Sequence, residues 1–141
     1  MKYVKFDPNW NSSVKKLYEY DLLEIFGEED SFNRNYKIPY WNRHKAVIET
    51  LKNRSKSIQS ILDIGAAQGN FSLVLAELGF DVTWNDIREE ILDYVKLKYE
   101  IGNINYVVGN IFDLQIEKKY DCVLITEVIE HVAHPDLSLI H

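Results

Sequence analysis

Residues 61–70, Ile-Leu-Asp-Ile-Gly-Ala-Ala-Gln-Gly-Asn, constrain the fold more than any other stretch of this 141-residue chain. A short apolar strand runs into a tight turn of small residues, and an apolar helix from Phe71 to Leu78 follows at once. Such a unit brings backbone N–H groups and a helix N-terminus to one rim of a parallel α/β sheet. A second strand, Asp81–Asn85, then ends on Asp86. An acid at the tip of the neighbouring strand is placed to accept hydrogen bonds from both hydroxyls of a ribose. The pattern points to a ligand that carries a nucleoside; a βαβ turn without a ligand is the plainer alternative.

Spacing narrows the ligand. The dinucleotide pattern Gly-x-Gly-x-x-Gly needs glycines where this chain has Ala67 and Asn70. The pattern acid-x-Gly-x-Gly-x-Gly instead fits Asp63, Gly65 and Gly69, with Ala67 as its one mismatch. That arrangement resembles motif I of the class I S-adenosylmethionine-dependent methyltransferases. The resemblance implies S-adenosyl-L-methionine as cofactor, with Asp63 helping to hold the methionine ammonium, where a pyrophosphate would be repelled. Gly65, Ala67 and Gly69 would form the turn around it, and Asp86 and Ile87 would lie at the ribose.

The likeness continues downstream. Residues 105–110, Asn-Tyr-Val-Val-Gly-Asn, read as a third strand and turn, followed by Ile111. In the family this turn carries an acid beside the adenine amino group; Asn110 can still accept from that amine, without charge. Tyr120–Thr126, with the unbroken apolar run Cys122–Ile125 at its centre, reads as a buried parallel strand. It leads into Glu127-Val-Ile-Glu-His-Val-Ala-His-Pro-Asp136. A Glu-His-Val just past the fourth strand is similar to methyltransferases of the ubiquinone-biosynthesis type and their small-molecule relatives. The matching region runs from about residue 60 to 137.

Charge is uneven. Of the net −6, residues 1–60 contribute eleven Lys/Arg against eight Asp/Glu, and residues 61–141 five against fourteen. An acidic second half argues against a nucleic-acid track, which needs a basic surface. Hydrophobic residues make up 46%, enough for a packed core. Nothing resembles a signal peptide or a membrane span, and the single Cys122 can form no intrachain disulfide. These features favour a cytoplasmic protein with no membrane partner.

The chain divides into a helical cap, residues 1–57, and a Rossmann-like cofactor-binding domain, residues 58–141. Ser12 or Ser13 can cap a first helix carrying Val14, Leu17, Tyr18, Leu22, Ile25 and Phe26 at helical spacing, ended by Gly27. Glu28–Ser31 reads as a polar loop. A second helix is expected from near Pro39, with Tyr40, His44, Val47, Ile48 and Leu51 on one face. Helix packing accounts for Tyr18, Phe26 and Tyr40. Phe32, Tyr36 and Trp41 fall in or beside a loop, and the resemblance allows them a second role, in a lid over the cofactor and acceptor.

Strands at 60–64, 81–85, 104–108 and 120–126 alternate with helices at 70–78 and 88–99, which implies a doubly wound parallel sheet. Right-handed crossovers place the first strand centrally, the second and third on one side and the fourth on the other. The ligand then lies over the C-terminal ends of strands one and four. A class I methyltransferase sheet normally has seven strands, so the chain reads as the first four, truncated after strand four. The alternative is a partner, or a second copy, along that apolar edge.

The resemblance implies methyl transfer to a small-molecule acceptor, at oxygen or nitrogen. The resemblance also counts Ile111, beside Asn110, and Glu127 among the cofactor-binding residues. His131 is the candidate general base, because an imidazole titrates near neutral pH; Glu130 or Glu127 would orient it or touch the acceptor. Packing against the helix after strand four is the rival role for His131. Glu127, Glu130, His131 and His134 are spaced i, i+3, i+4, i+7, which also resembles the metal site of small-RNA 3′-terminal 2′-O-methyltransferases. The acidic surface and Pro135 argue against that reading, and no metal is assigned. A third reading is a catalytically silent binding module.

Overall fold

The computed structural model describes residues 1–26 and 31–131, with backbone alone for 31–36 and for Glu130. Helix α1 spans Ser12–Asp21 and runs on into a π-helical turn, Leu22–Phe26. Its N-cap is Asn11, whose side chain accepts from the Val14 N–H at 2.9 Å, so the capping residue lies one position before the expected serines. Gly27, expected to end the helix, and residues 28–30 of the expected polar loop lie outside the described residues.

Helix α2 spans Ser31–Asn53, with Pro39 inside it, not at its start. Proline lacks the N–H that would bond one turn back, and a long helix can carry that loss. The expected inward face is present: Tyr40, His44 and Leu51 are buried, and Val47 and Ile48 pack against the core. His44 stacks on Phe71 with ring centroids 4.4 Å apart.

The strands are β1 (Ser60–Ile64), β2 (Asp81–Asp86), β3 (Asn103–Val108) and β4 (Cys122–Ile125). All are parallel, in the order β3-β2-β1-β4. This is the expected doubly wound arrangement. Helix α3 (Asn70–Glu77) links β1 to β2; a 3₁₀ turn, Glu89–Ile91, and α4 (Leu92–Lys98) link β2 to β3. Ile64 pairs with both Asn85 and Ile125, so the strand ends align at one rim. Among the described residues β4 is an outer strand, shorter than the expected 120–126, and not the buried strand its apolar run suggested: its Val123 is 51% exposed, because no further strand or helix among the described residues covers that edge.

Two apolar clusters hold the layers together. One joins Val14, Leu17 and Tyr18 of the cap to Leu73, Trp84, Ile91, Tyr94 and Val95. The other joins Leu51 of α2 to Ile61, Leu75, Ala76, Phe80 and Val82. The cap therefore shares its core with the sheet, which fixes where it lies over the strand ends. No helix among the described residues is long and apolar enough to cross a membrane.

Candidate functional site

The glycine turn has the conformation its composition implies. Gly65 and Gly69 have φ of 65° and 72°, a region that side chains rarely adopt. A Cβ on Gly65 would come within 2.4 Å of Val128 Cγ2, so the segment after β4 closes directly onto the turn. Ala67 also has positive φ, 45°. The mismatch to the glycine pattern thus carries backbone strain of about 1–2 kcal/mol. The conformation is held from both sides: the Ala67 N–H donates to Asp86 Oδ2 at 2.9 Å, and its carbonyl accepts from Trp84 Nε1 at 3.1 Å.

Asp86 ends β2 at the rim, as expected, but it is more heavily engaged than a rim acid in solvent. Oδ1 accepts from the Arg88 N–H and Nε, and Oδ2 from Arg88 Nη2 and Ala67 N–H, all at 2.9–3.0 Å. Burial alone would raise its pKa; the Arg88 hydrogen bonds and charge, with the Ala67 N–H, outweigh burial and hold it below the usual carboxylate range. Four donors fill the lone-pair positions of a carboxylate. Any ligand group that is to reach Asp86 must first displace the guanidinium of Arg88, whose side chain is 39% exposed.

Asp63 is placed differently from expectation. It is 1% exposed and does not line the cavity at the rim. Burial pushes its pKa up to about 7, against the Ser72 hydroxyl, which donates at 2.6 Å. Its other oxygen, Oδ1, has no hydrogen-bond partner. Gly69 likewise lies behind the wall of the cavity, as the N-cap of α3.

The cavity, about 750 Å³, runs over the C-terminal ends of the strands. Gly65, Ala67, Asp86, Ile87, Asn110, Ile111, Glu127 and His131 all line it, so most of the expected site residues share one wall. Asn85 supports that wall by donating to the Val107 and Gly109 carbonyls, both at 3.0 Å, which sets the turn bearing Asn110.

The facing wall comes from the cap: Leu17, Tyr20, Glu24, Tyr40 and Arg43. Of these, only Leu17 and Tyr40 stood out in the sequence, as packing residues, and Trp41 is not on the wall. A signal for Glu24 was present, because Asp21 and Glu24 follow Leu17 at i+4 and i+7 and so lie on its inward face. Burial, then the charge of Asp21, raises the Glu24 carboxyl to about 7, against Arg43 and the Gln68 amide. Burial raises the Tyr40 hydroxyl as well. Arg43 bridges the cavity to Glu127 at 2.7 Å.

His131 is exposed on the cavity wall in a 3₁₀ turn, Ile129–His131. Glu127 has φ of 57°, outside any right-handed helix, so it and His131 do not share an α-helical face. The spacing that suggested a metal site is not realised between them. The Glu130 side chain, His134 and Pro135 lie outside the described residues, as do the side chains of Phe32 and Tyr36. Among the described residues no group of three His, Cys, Asp or Glu is placed to hold a metal.

Residues 61–141 match the family model of a methyltransferase domain. The ubiquinone biosynthesis O-methyltransferase of Rickettsia akari (strain Hartford) is 37% identical over 97 residues, which is 67% of this chain and 34% of that protein. The protein of the same description from Rickettsia conorii (strain ATCC VR-613 / Malish 7) is 35% identical over 107 residues, 74% of this chain and 35% of its own length. The chain thus spans about a third of the length of these relatives. In fold it is similar to magnesium protoporphyrin IX methyltransferase from Synechocystis PCC 6803, solved with bound SAH. The TM-score is 0.68 at 17% identity, over 83% of this chain and 55% of that one. Taken with a parallel sheet whose glycine turn and strand-two acid meet at one rim, the match over more than half its length places this chain among the class I S-adenosylmethionine-dependent methyltransferases.

Proposed function

We propose that this chain binds S-adenosylmethionine in the rim cavity and takes part in methyl transfer to oxygen or nitrogen of a small-molecule acceptor. The observation that carries the reading is the cavity itself. Its volume of about 750 Å³ falls in the range of small-ligand sites, and one wall is family motif while the other is cap. When bound, the cofactor supplies an activated methyl group; the protein's part is to position the acceptor and remove its proton.

The residues present fit such a ligand. Asp86 would take the ribose hydroxyls once Arg88 moves aside, and Asn110 would meet the adenine amine. Ile87 and Phe112, 68% and 54% exposed at the rim, are apolar surfaces suited to flank a base. Asp63, buried behind the wall of the cavity, would act on the ligand's ammonium through the turn and not by direct contact. Arg43 is the guanidinium on the cap wall, placed to pair with the ligand's carboxylate in exchange for Glu127. His131, exposed on the same wall as Glu127, is the group that would accept the acceptor's proton.

Calorimetry tests the reading directly. S-adenosylmethionine and S-adenosylhomocysteine should each give saturable heat and NAD none; the reverse result would overturn it. Asp86→Ala should weaken binding about tenfold to a hundredfold, through loss of charge-assisted hydrogen bonds worth roughly 1.5–3 kcal/mol. Asp86→Asn should lose less. The matched control is Asp81→Ala at the opposite rim, where Asp81 pairs with exposed Lys118.

A further inference from the structure

Behind the glycine turn lies a charge cluster that ligand contact does not explain. Lys98 of α4 and Asp21 of α1 are both 0% exposed and form an ion pair at 2.5 Å. The three donors of the ammonium are all used: Asp21 Oδ2, Asn70 Oδ1 at 2.6 Å, and the backbone carbonyl of Gln68 at 2.9 Å. Asp21 in turn accepts from Tyr94 Oη at 2.5 Å and from Asn70 Nδ2 at 2.9 Å. Burial lowers the pKa of Lys98, and the carboxylate of Asp21 opposes that fall.

A buried pair of this kind contributes little to stability over an apolar pair of the same shape. Its distinctive property is where it reaches. Gln68 belongs to motif I, between strained Ala67 and left-handed Gly69, and Asn70 opens α3. Lys98 therefore ties the turn to α4, and Asp21 ties both to the cap, across 30 and 77 residues of chain. The Gln68 side chain is held from the cap too, donating to Glu24 at 3.0 Å.

We infer that Lys98, held by Asp21, is a positioning residue for the cofactor turn: its bond to the Gln68 carbonyl keeps residues 65–69 in the shape that receives S-adenosylmethionine. The inference rests on the cofactor reading above. It explains why a lysine occupies the inward face of α4. Lys98 follows Tyr94 by four positions and Val95 by three, which continues the buried row begun at Ile91.

Two double variants separate shape from stability. Asp21→Asn with Lys98→Met removes both charges and the donor to Gln68, leaving no stranded ion. Asp21→Asn with Lys98→Gln removes the charges and keeps an N–H donor. Titration with S-adenosylhomocysteine, well below each variant's melting temperature, should show at least tenfold weaker binding for the methionine form. The glutamine form should stay within about threefold of wild type. A folded methionine form with wild-type affinity would make the pair purely structural and overturn the inference. If that form does not fold, the glutamine form decides alone, and a loss beyond tenfold overturns it. Absence of binding by the wild type would instead overturn the cofactor reading, and the inference with it.

Discussion

Ala67 shows how one side chain can hold a site slightly off its lowest energy. Its φ of 45° belongs to a glycine, yet its N–H and carbonyl are both tied to β2 through Asp86 and Trp84. Strain of this sort persists where the surroundings over-determine the backbone. Ala67→Gly should therefore stabilise the chain by about 1 kcal/mol, raising the melting temperature by about 3–5 °C. Thermal unfolding of the two proteins checks this, and a lower melting temperature for the glycine variant would contradict it. Asp86 carries a related lesson. A rim acid at a strand end reads as dispensable to the fold, but this one is 3% exposed and satisfies the Ala67 N–H. Its removal costs stability as well as affinity, so binding by Asp86→Ala must be measured where the variant is folded.

Elements were legible in proportion to the locality of their causes. The strand Ser60–Ile64 coincides with its expected bounds, and β2, β3 and α3 differ by one residue at an end. Alternation and unbroken apolar runs are set within a few residues, and the backbone follows them. The start of α2 was not legible, because Pro39 looks like a first-turn residue and only the continuing backbone shows otherwise. The cap of α1 was missed by one position for a similar reason, since Asn11, Ser12 and Ser13 are all competent N-caps. Asn11→Ala should cost about 1 kcal/mol, while Ser12→Ala should be nearly neutral. Equal losses in chemical denaturation would return the cap to the serines.

At the scale of the molecule, the cap and sheet form one core, and the fold encloses acids on both. Glu24 and Asp63 both have pKa values raised to about 7, with burial the largest cause. An unfolded carboxyl titrates near 4. Each acid therefore leaves the fold most stable below that value and subtracts stability as pH rises to about 7. Wild type should be less stable at pH 8 than at pH 5, by roughly 1–3 kcal/mol for each group. Glu24→Gln should recover its share at pH 8 and change little at pH 4. Parallel stability curves for the two proteins across this range would show that Glu24 ionises in the fold as easily as in water.

The sequence by itself determined the sheet order, the position of the glycine turn and the strand-two acid, and the family. The turn and the acid follow from residues a few positions apart, whose periodicity and conformational preference act on the local backbone; the sheet order follows from the handedness of the crossovers, and the family from the resemblance of the motifs. Tertiary structure alone decided that Asp63 turns toward Ser72, that Arg88 occupies Asp86, and that Glu24, Tyr40 and Arg43 form the second wall. It also decided that Lys98 meets Asp21 from 77 residues away. The charged residues Asp21, Glu24 and Lys98 lie on the inward faces of their helices, where each needs a partner. Which partners they meet depends on how the helices pack, and packing is settled by the shape of the whole core.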